Sequence, residues 1–223
     1  MTFNIAIDGP SAAGKSTIAK LLAQKLNYIH LDTGAMYRCI AYKATLLDID
    51  VQDEIGISAI LPSTDIHFDS SGHVFLDNKD VTNEIRREDM SWLASSVSVL
   101  GSVRSDLVRR QQELAAKKGI IMDGRDIGTV VMPDAEIKIF LTADVNSRAA
   151  RRFHDQIKEH PTITLAEIRE DIIKRDLQDT TRLISPLKKA DDAIEVDTTN
   201  LSIESTVELI LSIIEHKRQE VLK

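Results

Sequence analysis

The sequence has little that would tie it to an oxidising compartment, a membrane or a nucleic acid. It contains one cysteine, so a disulfide within the chain cannot form and a reducing compartment is expected. It has no apolar run of roughly 18 residues that could span a membrane, and no signal-peptide pattern follows Met1. Its 28 Lys and Arg against 35 Asp and Glu give a net charge of −7, which argues against binding to nucleic acid polymers. We therefore expect a cytoplasmic protein with no nucleic acid polymer and no membrane among its partners.

The chain instead carries an alternation of strand and helix patterns. Its 223 residues, 43% of them hydrophobic, are enough for an α/β domain with a buried core. An apolar strand at 3–8 is followed by a glycine-rich turn and by a helix that runs from Lys15 to a stop at Asn27. A second strand at 28–31 and a second helix at 33–47 complete a strand–helix–strand unit, which implies a parallel sheet.

The middle of the chain changes character. Alternating residues at 66–69 and 74–76, on either side of a Ser-Ser-Gly turn, predict an antiparallel hairpin in an insertion at about 60–95. One long helix is predicted for 91–118. The later elements are buried strands at 120–122, 137–141 and 194–196, and a helix that opens with the capping-box pattern of Thr164 and Glu167.

The clearest motif lies near the start of the chain. Residues 9–16, Gly-Pro-Ser-Ala-Ala-Gly-Lys-Ser, fit G-x-x-x-x-G-K-[ST] at every fixed position, between a strand and a helix whose N–H groups can surround a phosphate. Lys15 suits the β- and γ-phosphates, and the Ser16 hydroxyl can bind Mg²⁺. Asp123 and Asp8, each at the end of a predicted strand, are equal candidates to hold the metal through water. The ATP-binding candidates are Gly9, Pro10, Ser11, Ala12, Ala13, Gly14, Lys15, Ser16 and Thr17.

Several classes of protein use such a loop, and the rest of the sequence narrows the choice. A GTPase needs an N-K-x-D motif, and the nearest run, 78–81, has its acid one place early. A mechanical ATPase usually has a larger core with partner domains. We therefore expect a small-molecule kinase with the P-loop kinase fold. It would be a single domain over residues 1–223, with three layers, a parallel central sheet, the small antiparallel insertion and a helical lid at about 148–161.

Arginines in three parts of the sequence suit the phosphates of such a reaction. Arg38 and Arg125 can neutralise the phosphate of an acceptor, because a guanidinium forms two hydrogen bonds with phosphate oxygens and stays charged. Arg148, Arg151 and Arg152 share one face of a helix, where they can form a lid that closes over the phosphates. The catalytic candidates are Lys15, Arg125, Arg148 and Arg152.

Six segments spread along the chain are more specific than the loop alone. They are IAIDGPSAAGKST (5–17), LDTGAMYR (31–38), DVTNEIR (80–86), SVRSDLVRRQ (102–111), MDGRDIGTVVMPDAEIKIFL (122–141) and RDLQDTTRLISPL (175–187). Through them the chain resembles the bacterial cytidylate kinases over nearly its full length. The resemblance implies a monomer whose insertion binds a nucleoside monophosphate, and a transfer of phosphoryl from MgATP to CMP or dCMP. Because a phosphate monoester is largely dianionic at neutral pH, direct in-line transfer needs neither a covalent intermediate nor a strong base.

The resemblance also implies which residues bind the acceptor. They are Thr33, Arg38, Ser95, Arg104, Arg125, Asp126, Arg175, Asp179 and Arg182. Asp126 can accept a hydrogen bond from the cytosine amine, and Arg104 can donate to the ring nitrogen and O2. Uracil carries an oxygen in place of that amine, so UMP should be a weaker substrate. A kinase of another small acceptor, such as UMP or shikimate, and a non-catalytic ATP-binding switch remain alternatives.

Overall fold

The computed structural model of the chain describes residues 2–69, 72–158 and 160–221. The strands are β1 (Ile5–Asp8), β2 (Ile29–Asp32), β3 (Ile66–Phe68), β4 (Val74–Leu76), β5 (Lys79–Asp80), β6 (Ile120–Gly124), β7 (Ile137–Thr142) and β8 (Ile194–Asp197). The helices are α1 (Lys15–Leu26), α2 (Thr33–Leu46), α3 (Glu54–Ile60), α4 (Glu88–Val97), α5 (Gly101–Ala115), α6 (Val145–Gln156), α7 (Leu165–Thr181) and α8 (Ile203–Val221). Two compact units result: one comprises the chain up to Tyr28 and from Lys118 onward, the other Ile29–Lys117.

The first unit contains four parallel strands in the order β6-β1-β7-β8. All residues of β1 are buried, as expected for an apolar strand that is covered on both faces. Its last residue, Asp8, lies in register with Gly124 of β6 and Phe140 of β7. The carboxyl ends of the strands therefore meet at one edge of the sheet, where open α/β folds bind their ligands.

Helices complete this unit around one apolar core. Members of the core from α1, α8 and the strands include Ile5, Ile7, Ile18, Leu22, Ile121, Ile139, Val207 and Ile210. Helix α1 ends, as predicted, where Asn27 adopts a left-handed backbone with φ 54°. Helix α7 begins with the predicted capping box, in which Thr164 and Glu167 each bind the other's backbone N–H. It packs against α6 through Ala149, Ile168 and Ile172.

The second unit contains the antiparallel sheet β3-β4-β5 together with α2 to α5. Strands β3 and β4 pair from Ile66 with Leu76 to Phe68 with Val74, so the predicted hairpin is confirmed. Cys39 of α2 lies in the core of this unit. Burial raises the pKa of its thiol to about 12, which leaves an inert packing residue.

The prediction of one long helix at 91–118 is wrong, because α4 and α5 are separate helices. The Ser98 hydroxyl donates to the Ser95 carbonyl at 2.8 Å, and the backbone of Leu100 is extended, with φ −72° and ψ 126°. The break leaves the Ser98 carbonyl to accept a hydrogen bond from Arg104 Nη1 at 3.1 Å. Apolar periodicity continues across such a short break, so the sequence pattern did not reveal it.

The predicted α/β fold, with a parallel central sheet and a small antiparallel sheet, is confirmed. Among the helices that the structure describes, none is both long and apolar enough to cross a bilayer. The insertion predicted at about 60–95 lies within the second unit. The lid predicted at about 148–161 covers most of α6 and the turn after it, apart from residue 159, which lies outside the described residues. The functions of the insertion and the lid stay predictions.

Candidate active site

The phosphate-binding motif forms a tight turn between β1 and α1. Gly9 has a φ of +152°, and a Cβ at this position would stand 1.9 Å from the Leu141 carbonyl oxygen of the neighbouring strand. Gly14 has a φ of +88° with no atom within 4 Å of the position of a Cβ. The first glycine is therefore required by close packing of the backbone, and the second by the left-handed conformation alone.

Lys15, the first residue of α1, is buried beside the turn. Its ammonium donates to the Pro10 carbonyl at 2.7 Å. Burial, followed by the positive charge of Arg125, lowers the pKa of Lys15 to about 7. An anion that binds beside such a lysine stabilises the positively charged form of its side chain.

Ser16 and Asp123 stand together at the end of the sheet. The Ser16 hydroxyl donates to Asp123 Oδ2 at 2.6 Å. Asp8 instead accepts from the N–H groups of Ile127 and Gly128 at 2.8 and 2.7 Å, and burial raises its pKa to about 6. The two acids that the sequence ranks equally therefore differ: Asp123 faces the metal-binding candidate, whereas Asp8 holds the backbone after β6.

Arg125 lies close to both Lys15 and Arg175, and Arg152 lies close to Arg175. Burial and then the charges of Arg125 and Arg152 lower the pKa of Arg175 to about 10. The buried Nε of Arg175 has no hydrogen-bond partner among the described residues. Burial and the repulsion between these charges outweigh the neighbouring carboxylates Asp179 and Asp171 at Arg175. The group formed by Lys15, Arg125, Arg152 and Arg175, hereafter the cationic cluster, therefore indicates a site for a polyanion.

Asp179 borders the cationic cluster, and Arg182 joins it to a second carboxylate, Asp126. Asp179 accepts from Arg125 Nε at 2.8 Å and lies 3.5 Å from Arg182 Nη1. Burial raises the pKa of Asp179, but the charges of Arg125 and Arg182 lower it by more, so that the pKa lies below the ordinary value and the carboxyl is ionised at neutral pH. Arg182 also lies 3.8 Å from Asp126 and donates from Nε to the Ser185 carbonyl at 2.8 Å. The predicted acceptor residues of this unit thus form one network.

The lid candidates on α6 have three different surroundings. Arg148 is buried and contacts Asp176 of α7 and the carbonyl of Ser11. Arg151 donates to the hydroxyl and carbonyl of Thr198, the residue after β8. Arg152 lies 3.1 Å from Asp171 of α7 and is the member of this group that belongs to the cationic cluster.

The second unit carries four of the predicted acceptor residues. Two lie at the start of α2: Thr33 is buried, and Arg38 donates to Asp32 at 2.6 Å. Asp32 also caps α2 by accepting from the Ala35 N–H. Burial raises the pKa of Asp32, but the charges of Arg38 and then His30 bring it below the ordinary range. Arg38 is therefore held with a carboxylate as its counter-charge.

The other two lie on α4 and α5. Ser95 is buried at the end of α4, and Arg104 is 2% exposed. The Arg104 guanidinium also stands 5.6 Å from the centre of the Tyr37 ring. A buried arginine that is fixed by a carbonyl and an aromatic face suits the recognition of a planar polar group.

The sequence-predicted residues thus fall into two groups. The first unit holds Lys15, Ser16, Arg125, Asp126, Arg148, Arg152, Arg175, Asp179 and Arg182, and the second holds Thr33, Arg38, Ser95 and Arg104. Asp176, whose carboxylate accepts from the Ser11 N–H at 2.9 Å, was missed. Its signal was available, because positions 172, 176 and 179 lie on one face of a helix.

Comparison with known proteins identifies the family. A family model described as cytidylate kinase matches residues 5–216 of the chain. The cytidylate kinase of Bacillus pumilus (strain SAFR-032) is 52% identical over 211 residues, which are 93% of this chain and 94% of that protein. The cytidylate kinase of Bacillus subtilis (strain 168) is 46% identical over 217 residues, 96% of this chain and 97% of that protein.

Solved structures share the fold at much lower identity. Shikimate kinase from Acinetobacter baumannii, in complex with shikimate, has a TM-score of 0.50 and 16% identity, covering 100% of this chain and 97% of that one. An uncharacterised protein from Eubacterium ventriosum has a TM-score of 0.53 and 13% identity, covering 97% and 99%. These likenesses show the P-loop kinase fold and nothing further. The family model and the two Bacillus relatives, which match along almost the whole chain, show that this protein belongs to the cytidylate kinase family of nucleoside monophosphate kinases.

Proposed function

We propose that the protein transfers the γ-phosphoryl group of ATP to CMP or dCMP, giving CDP or dCDP and ADP. The observation that carries the proposal is the cationic cluster, in which buried Arg175 has its pKa lowered to about 10 by burial and by Arg125 and Arg152. Asp179 and Asp171 already pair with Arg125 and Arg152, and a nucleoside triphosphate and a nucleoside monophosphate together bring further negative charge to this cluster. An acceptor that is itself a phosphate therefore fits better than an uncharged alcohol.

The loop and Lys15 are assigned to ATP. The turn between β1 and α1 presents backbone N–H groups at the N-terminus of α1, which favours an anion there. Lys15 lies within the same turn, and its lowered pKa means that binding of a triphosphate is coupled to its protonation. Together they orient the donor and balance its charge.

Magnesium fits the pair formed by Ser16 and Asp123. A hydroxyl and a carboxylate are hard oxygen donors of the kind that Mg²⁺ accepts, and Mg²⁺ commonly takes its other ligands from water and substrate phosphates. When bound, the ion neutralises phosphate charge. The 2.6 Å contact between the two side chains supports the assignment of Ser16 as a direct ligand and Asp123 as its partner.

Each part of the acceptor is assigned to predicted residues whose chemistry suits it. Arg125 and Arg38 are assigned to the CMP phosphate and Asp126 to the cytosine amine. Asp179 and Arg175 are assigned to the ribose, where the charge of Arg175 also favours the adjoining phosphate. Arg104, with Thr33 and Ser95, is assigned to the remaining edge of the base. The burial of Arg104 supports this role, because an unmatched polar group in such an environment costs about 1–3 kcal/mol. UMP, which offers no amine to Asp126, is therefore a weaker substrate.

The chemistry that follows is positioning and charge neutralisation. The CMP phosphate is a dianion at neutral pH and attacks without a general base. Lys15 and the arginines stabilise the charge that spreads over the transferring group. Arg152 is assigned to a lid whose closure excludes water from the reaction, and Arg148 to the fixed base of that lid, where it binds the carbonyls of Ser11 and Ala143. A cytoplasmic location and a monomeric state stay predictions.

The proposal is tested by ADP release from MgATP with CMP, dCMP, UMP, AMP, GMP and shikimate as acceptors. We expect fast release with CMP and dCMP, slower release with UMP and none with the others. Release with a different acceptor would retain the triphosphate site and refute the assignment of the base pocket. No release with any of them would favour a non-catalytic ATP-binding switch.

A further inference from the structure

Asp176 connects the phosphate-binding loop to the two helices α6 and α7. One oxygen of its carboxylate accepts from the Ser11 N–H at 2.9 Å, and the other accepts from Arg148 Nη1. The same Nη1 donates to the Ser11 carbonyl at 2.9 Å. Both backbone polar groups of Ser11 are therefore engaged by the pair of Asp176 and Arg148.

Arg148 is itself fixed to the sheet. Its Nε donates to the carbonyl of Ala143, just after β7, at 2.9 Å. The Arg148 and Asp176 side chains are 9% and 19% exposed, so water competes weakly for their contact. A charge-assisted hydrogen bond in such surroundings holds a defined geometry. The pair thus ties Ser11 to a rigid part of the first unit.

The residue after Ser11 has an unfavourable backbone conformation. Ala12 has a φ of 58°, and the left-handed region costs a residue with a Cβ about 1–2 kcal/mol. Conformations of this kind persist where the surroundings hold them. The left-handed residue turns the backbone within the loop, and successive N–H groups of such a turn form an anion-binding concavity. The contacts to Ser11 lie directly before that turn.

We propose that Asp176 is a positioning residue for ATP: with Arg148 it holds Ser11, and thereby the left-handed Ala12, in the phosphate-binding conformation before the nucleotide arrives. Asp176 acts through the loop, since its own negative charge repels a triphosphate. The proposal rests on the assignment of the loop to ATP and extends it to a residue outside the motif.

The test is the variant Asp176→Asn, whose amide offers one acceptor where the carboxylate serves both Ser11 and Arg148. We expect the KM for ATP to rise about tenfold, and the Kd for ATP, measured by calorimetry without an acceptor, to rise by the same factor. A tenfold change corresponds to the loss of about one charge-assisted hydrogen bond. The KM for CMP should stay within about twofold. Arg169→Gln is the matched control, because Arg169 also joins α7 to α6, through Asn146 at 2.9 Å, and does not contact the loop.

A rescue experiment separates positioning of the loop from general stability. Glycine adopts a positive φ freely, so Ala12→Gly should reduce the effect of Asp176→Asn on ATP binding to about threefold or less. A merely structural role for Asp176 predicts no such rescue, and would instead change the KM for ATP and CMP alike. If Asp176→Asn does not fold, Asp176→Glu, which retains the charge opposite Arg148, takes its place with the same expected difference between the two KM values.

The outcomes distinguish this proposal from the proposed function. Unchanged ATP affinity in Asp176→Asn, with wild-type transfer to CMP, would overturn the positioning role and leave the function standing. Weakened ATP affinity in the variant, with no transfer to CMP by the wild type, would support the positioning role and remove the function. An equal loss of ATP affinity in Arg169→Gln would also overturn the positioning role, because any contact between the helices would then suffice.

Discussion

The Ser16 hydroxyl donates a 2.6 Å hydrogen bond to Asp123 Oδ2, although 107 positions separate the two residues in sequence. Ser16 belongs to the first turn of α1, and Asp123 lies near the end of β6. Parallel pairing of β1 with β6 brings both to the same edge of the sheet. The contact brings together the two oxygen donors that Mg²⁺ needs from the protein in the proposed reaction.

Loss of the Asp123 carboxylate should therefore weaken the binding of Mg²⁺ during the reaction. For Asp123→Ala we expect kcat to fall about 100-fold or more, and the Mg²⁺ concentration that gives half-maximal rate to rise. The measurement is the initial rate of ADP release at a series of Mg²⁺ concentrations with saturating CMP.

The control for this prediction is Asp8→Asn. Because Asp8 accepts from two backbone N–H groups, we expect this change to lower the free energy of unfolding, by about 1–3 kcal/mol, without moving the Mg²⁺ requirement. A shift of the Mg²⁺ requirement in Asp8→Asn, together with none in Asp123→Ala, would reverse the assignment of the two acids.

Substitution by alanine should destabilise the protein by different amounts at the two glycines of the loop, Gly9 and Gly14. Gly9→Ala places a Cβ against the Leu141 carbonyl, so we expect more than about 3 kcal/mol of destabilisation and loss of ATP binding. Gly14→Ala meets no atom and carries only the left-handed cost of about 1–2 kcal/mol. Urea unfolding of both variants measures the difference, and equal values would contradict the packing argument.

Substitution of the two neighbouring arginines of α6 should have different effects: loss of Arg152 should lower activity, and loss of Arg151 should lower stability. Arg152 belongs to the cationic cluster, so Arg152→Gln should lower kcat about 100-fold while thermal stability changes little. Arg151 donates to Thr198 twice, so Arg151→Gln should lower the free energy of unfolding by about 1–3 kcal/mol and leave kcat within a few-fold of wild type. The opposite pattern would show that Arg151 is the residue that faces the phosphates.

ATP binding should take up a proton near pH 8. The pKa of Lys15 is about 7 in the free protein, so its amine is mostly neutral at pH 8, and the triphosphate favours the charged ammonium. At pH 6 the ammonium is already present, and uptake should be smaller. Calorimetry of MgATP binding in two buffers of different ionisation enthalpy measures the uptake. Lys15→Arg, which stays charged throughout, should lose the dependence on buffer, and a wild-type signal that equals that of Lys15→Arg would contradict the prediction.

Local features of the fold were predictable from the sequence because they depend on neighbouring residues. The turn at 9–16, the stop at Asn27 and the capping box at Thr164 each follow from the chemistry of a few consecutive positions. The break at Ser98 was not predictable in this way, because it replaces helical hydrogen bonds by a side-chain contact without disturbing the apolar pattern.

The candidate site was predictable as a set of residues, but not as a set of contacts. Sequence spacing puts Arg151 and Arg152 on adjacent positions of a helix, where about 100° of rotation separates them. Only the packing of α6 shows that one turns to Thr198 and the other to the cationic cluster. The choice between Asp123 and Asp8 likewise depends on which polar group each carboxylate reaches after folding.

The most direct test of the proposed reaction follows the transferred phosphoryl group itself. ATP labelled at the γ-phosphate is incubated with the protein, Mg²⁺ and CMP, and the products are separated and identified. The proposal predicts that the label appears in the β-phosphate of CDP, in amounts equal to the ADP formed, and that omission of CMP abolishes ADP formation. Label that appears only as inorganic phosphate, with CMP unchanged, would contradict the assignment of this protein as a kinase of CMP.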